Sequence, residues 1–65
     1  MTPAAFVAWR ERLHLSQAAA ASLLGCGRRS IQLWENATNE IPKYIALACM
    51  AVALGITAPP ADWTR

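Results

Sequence analysis

Sixty-five residues make one domain, and a chain this short buries only about 60% of the surface it exposes when unfolded, so the fold is lean. A hydrophobic fraction of 55% against 15% charged residues excludes a disordered chain, the net charge of +2 is mild, and the interspersed Glu11, Glu35 and Glu40 exclude a low-complexity basic tail. Cys26 and Cys49 are too few and too far apart for a disulfide framework, and beside the single His14 they fall short of a zinc site.

Taken along the chain, the pattern is helical throughout. Alanine and leucine dominate, and no strand-like alternation interrupts them. Thr2-Pro3 reads as a helix start, with Thr2 as N-cap and Pro3 at the first helical position. That helix is expected to reach about Leu13, with Phe6, Trp9, Arg10 and Leu13 on one face. After a break at His14-Leu15, Ser16 is the N-cap of a short second helix to about Leu24, which Gly25 stops by accepting the left-handed conformation.

Cys26-Gly27 form a tight turn, and a third helix is expected from Arg28 to Trp34 or Glu35. The polar stretch 36–40 is a loop, Pro42 opens a fourth helix to about Leu54, and Gly55 ends it. The apolar run from Ile45 to Ile56 is too short for a bilayer, which takes about 20 residues, and reads as a core helix. Pro59-Pro60 bars further regular helix, so residues 57–65 are expected to be a loosely attached tail after a domain spanning 1–56. No signal peptide is read at the N-terminus, and both thiols read as small buried hydrophobes in a reduced cytoplasm.

The informative segment runs from Ser16 to Asn36, two short helices joined by a turn of three residues. Helices that cross steeply need a small residue where they meet, which Ala21 supplies, and a turn residue at ease at positive φ, which Gly25 supplies. Ala20, Leu24, Cys26, Ile31 and Trp34 then form the apolar inner face. Arg28, Arg29, Gln32, Leu33 and Asn36 are left on the outer face of the third helix, where a recognition helix carries its base-reading side chains.

Leu15-Ser16-Gln17, the Ala21…Leu24-Gly25 step, Ile31…Trp34-Glu35-Asn36 and then Pro42 together resemble the lambdoid-phage repressor and Cro (XRE-type) helix-turn-helix family, over about Phe6 to Gly55. The resemblance implies an all-α, lambda-repressor-like bundle of four or five helices that binds an operator as a two-fold dimer and regulates transcription. It implies base contacts from Arg28, Arg29, Gln32 and Leu33. Phosphate contacts are implied for Ser16, Gln17, Asn36, Asn39, Lys43 and Tyr44, and a structural ion pair for Arg10 and Glu35. The chain departs from the family where Gly27 replaces the usual serine or threonine cap, where Ala37 replaces a glycine, and where Pro59-Pro60 occupies the place of a short last helix.

Arginine pairs bidentately with guanine O6 and N7, so the expected partner is double-stranded DNA with guanine in each half-site of an inverted repeat. Leu33 either meets a thymine methyl or packs on a partner subunit, and Trp63 either folds back or fills a partner's pocket. His14 has no partner at ligand spacing and reads as a helix-end residue. No nucleophile stands beside a base, no carboxylates pair and no glycine loop cradles phosphate, so the reading is of no enzyme, no cofactor and no metal. The expected function is a repressor of a phage, prophage or mobile-element operon, acting as a homodimer in a prokaryotic or phage-infected cytoplasm, with no membrane partner. The alternative is the antitoxin of a toxin–antitoxin pair, or a protein-interaction module of the same fold, with a toxin partner less favoured.

Overall fold

Thr2 starts the first helix: its Oγ1 accepts from the Ala5 N–H at 3.1 Å, and Pro3 opens α1 (Pro3–Arg12). This arrangement is seen in a computed structural model that describes residues 1–63. Ser16 does the same for α2 (Gln17–Leu24), accepting from Ala19 N–H at 3.0 Å. Gly27 precedes α3 (Arg28–Glu35) without a side chain to cap it. Pro42 occupies the cap position of α4 (Lys43–Ala53) rather than its first turn, one residue outside the expected place, because its extended backbone leads into the helix. Residues 61–63 form a single 3-10 turn beyond Pro59-Pro60, so, against expectation, the prolines do not bar all further regular structure.

All four helices stop in the same way. A residue just past the end of each helix lies in the left-handed region: His14 at φ 57°, Gly25 at 74°, Ala37 at 64° and Gly55 at 85°. The N–H groups of Leu15, Cys26, Thr38 and Ile56 then return to the carbonyls of Arg10, Ala21, Leu33 and Ala51, at 2.8–3.0 Å. These are Schellman endings, which satisfy carbonyls the helix itself leaves open. Glycine enters that conformation freely and histidine fairly often, but alanine pays about 1–2 kcal/mol for its Cβ.

Ala37→Gly is therefore expected to stabilise the fold. The relief is partly offset by the about 0.5–1 kcal/mol that glycine loses in chain entropy, so the net gain is about 0.5–1 kcal/mol. Thermal unfolding should show a midpoint raised by about 3–6 °C. Gly25→Ala should move it the other way for the same backbone reason, since no atom would crowd the added methyl.

The core forms where α2 packs on α3, α1 on α3 and α2 on α4. Phe6 and Ile31 are fully buried, with Ala20, Ala21 and Trp34 beside them. Ile41, Ile45 and Cys49 close the core from the loop and from α4. Phe6 meets Trp34 edge-on at 5.9 Å and tilts against Trp9 at 5.4 Å. Trp9 stays half-buried and its indole N–H donates to the Cys49 carbonyl at 2.9 Å, tying α1 to α4. Leu24 and Cys26 border this cluster without being fully buried.

Burial pushes the Cys49 thiol up to about 11, with neighbouring Cys26 adding to the shift, and burial also raises Cys26. The unfolded chain releases the Cys49 proton from about pH 9, whereas the folded chain holds it until about 11. Between those values the folded state binds more protons, so stability falls as pH rises. A loss on the order of 2 kcal/mol is expected from pH 9 to 11, measured by denaturant unfolding, and Cys49→Ala should remove most of that slope, Cys26 keeping the remainder.

Candidate nucleic-acid interface

Recognition of a duplex by a short helix demands that the helix be held from behind while its front stays in solvent. Helix α3 meets both conditions. Ile31 and Trp34 anchor its back in the core, whereas Arg28, Arg29 and Gln32 are exposed. The turn that presents its N-terminal end is fixed at Gly25, where the Cys26 N–H returns to the Ala21 carbonyl at 3.0 Å. Ala20 and Ala21 are buried where α2 lies against α3, and a larger side chain there would push the two helices apart.

Glu35, at the last position of α3, receives a convergent set of donors. Arg10 Nε donates to its Oε2 at 2.7 Å and Arg10 Nη2 to its Oε1 at 3.1 Å, a bidentate pairing of two side chains that are 17% and 12% exposed. Arg10 Nη1 also donates to the Leu15 carbonyl at 3.0 Å. The hydrogen bond to Glu35 raises the Arg10 pKa above its ordinary value, against a smaller opposing effect of burial. The guanidinium thus stays charged wherever the protein is folded.

Gln17 joins the same cluster. Its amide Nε2 donates to Glu35 Oε1 at 3.1 Å, so one N–H faces the protein and only the remaining amide atoms are left for a phosphate. The cluster links α1, the turn before α2, the start of α2 and the end of α3. The family resemblance paired Arg10 with Glu35 but signalled neither the Leu15 carbonyl nor the inward use of Gln17.

The remaining residues of the expected phosphate set lie at the edges of this face. Ser16 is exposed, and its hydroxyl oxygen is occupied by the cap. Asn36 turns its Oδ1 back on the loop, accepting from both the N–H and the hydroxyl of Thr38. Asn39, Lys43 and Tyr44 are exposed. Leu33 departs from the expected outward position and is half-buried. The loop after α3 folds back to it, with Thr38 and Asn39 N–H groups donating to its carbonyl at 2.9 and 3.2 Å.

Among the described residues, no group of three or more potential metal ligands comes together. No helix of the described residues is long and apolar enough to cross a membrane.

The family model of a helix-turn-helix domain matches residues 6–63, from the first core residue of α1 to the end of the last 3-10 turn. The chain belongs to the helix-turn-helix domain family. Searches of curated proteins and of solved structures returned no match. Membership of this helix-turn-helix family, consistent with the XRE type, makes the chain in outline a DNA-binding regulator with an all-α fold.

Proposed function

We propose that this helix-turn-helix protein is a sequence-specific transcription repressor that binds an inverted-repeat operator as a homodimer. Each copy lays the N-terminal half of α3 in the major groove. Arg28 and Arg29 read guanine, Gln32 reads a neighbouring base, and the half-buried Leu33 offers its exposed edge to a thymine methyl. Gln17, Ser16, Asn36, Asn39, Lys43 and Tyr44 hold the flanking phosphates and set the register. The observation that carries this reading is the exposure of Arg28, Arg29 and Gln32 on a helix whose opposite face is locked into the core.

Phosphate contacts alone would not require two adjacent arginines at the reading end of such a helix. A small autorepressor of a phage, prophage or mobile-element operon, working in the cytoplasm, fits a domain with this much of its surface given to one DNA face. Half-sites about one helical turn apart, roughly 34 Å, follow from a two-fold dimer with one recognition helix per copy.

The test is selection from random duplex DNA near physiological salt, followed by sequencing of the retained fraction. An enriched inverted repeat with guanine in each half-site is the expected result. Weak, salt-sensitive retention with no enriched sequence would mean that the arginines serve a nonspecific surface.

A further inference from the structure

Helix α4 is apolar on every side. Ile45 and Cys49 face the core, yet Leu47 is 55% exposed, Met50 61% and Leu54 76%. Its one charged residue is Lys43, at the first position. A helix that is apolar all round is ordinarily buried all round. Beside this exposed stripe lies an open hollow of about 410 Å³, walled by Leu23 of α2, Val52 of α4 and the tail to Trp63, with no charged residue among the described residues that line it. Trp63 itself stands at its wall, 74% exposed.

We propose that a second copy of this chain covers this face, with Leu47, Met50 and Leu54 meeting across a two-fold axis and each Trp63 entering the partner's hollow. The proposal rests on the dimeric part of the reading above, and not on which DNA is read.

Three features favour a second copy over a different partner. The first is area. The exposed parts of Leu47, Met50, Leu54, Ile56 and Trp63 offer roughly 650 Å² per chain. A standard interface buries about 800 Å² per partner. In homodimers about 65% of that is apolar, so roughly 500 Å² is needed.

The second feature is charge. A two-fold interface sets the same patch against itself, so a patch of one charge sign would repel itself, and the described residues lining the hollow carry no charge. The third is shape, since the same face carries both a projecting aromatic and an apolar hollow. Large aromatic anchors in such hollows are what dominate association energies. None of the residues lining the hollow belongs to α3, so pairing there leaves Arg28, Arg29 and Gln32 open.

Sedimentation equilibrium of the full chain without DNA tests this. The expected result is a reversible monomer–dimer equilibrium at micromolar concentration. Leu54→Glu should make the chain monomeric, and Trp63→Ala should weaken the dimer at least about tenfold. Both residues are exposed in the single chain, so circular dichroism should show the helices intact in both variants. In the wild type, tryptophan emission should shift to shorter wavelength as the dimer forms, a shift that Trp63→Ala abolishes.

A wild-type chain that stays monomeric at every concentration would overturn the proposal. So would a dimer indifferent to both substitutions, whose contact must lie elsewhere. The DNA reading is scored separately, by binding of Leu54→Glu to a single half-site. A dimer that dissociates as expected supports the interface whether or not the half-site is bound selectively.

Discussion

Glu35→Ala is expected to destabilise the domain by about 2–3 kcal/mol, a large share of the roughly 3–10 kcal/mol that a chain of this size holds. The substitution removes the acceptor for two Arg10 N–H groups and one Gln17 N–H together. It leaves the Arg10 charge 17% exposed with only the Leu15 carbonyl beside it. Removing one member of a fully buried pair costs about 3–5 kcal/mol, and the residual exposure here puts the cost below that range. Denaturant unfolding should show a lower midpoint with little change in slope.

Two controls separate this from an ordinary surface pair. The loss should persist at high salt, because a pair this enclosed is poorly screened. The double change of Arg10→Met with Glu35→Leu should recover most of the stability, since no charge is then left without a partner. If Glu35→Ala alone left the midpoint unchanged, the bidentate contact would contribute nothing to holding α3 against α1.

The order and limits of the helices were legible in the sequence because caps are chemically specific. Thr2-Pro3, Ser16 and Gly25 each leave few alternatives for the backbone. The left-handed endings at His14 and Ala37 were not legible, because neither residue type demands that conformation and only the packing imposes it. Pro42 was placed one residue too far inside its helix for a related reason: the fixed φ of proline suits both a cap and a first turn.

At the site, Arg28, Arg29 and Gln32 could be assigned to the outward face by helical period once Ile31 and Trp34 were assigned to the core. Period alone placed Leu33 on the same outward face, whereas its side chain is half-buried. The second bond of Arg10, to the Leu15 carbonyl, involves a backbone atom and has no sequence signature. The apolar hollow beside α4 was equally silent, since an apolar run reads as core until its outer side is seen to lack a neighbour.

Arg28→Ala and Arg29→Ala are each expected to lower affinity for the selected operator by about 5- to 150-fold, the value of one bidentate guanine contact at about 1–3 kcal/mol. Selectivity at one base position should relax in each. Both side chains are exposed, and alanine is a good helix former, so thermal unfolding should be unchanged within about 0.5 kcal/mol. The lost affinity is then a property of the interface and not of the fold. Lysine substitutions sharpen the argument, because lysine keeps the charge but offers a point donor in place of a planar fork. If Arg28→Lys and Arg29→Lys retain nonspecific binding while losing base preference, the arginines read bases. If Arg28→Ala and Arg29→Ala instead weaken binding alike on all duplexes and leave the base preference intact, the two charges only hold phosphates. Lys43→Ala is the reference for that second behaviour: affinity should fall alike on all duplexes, with the logarithmic salt slope reduced by about one.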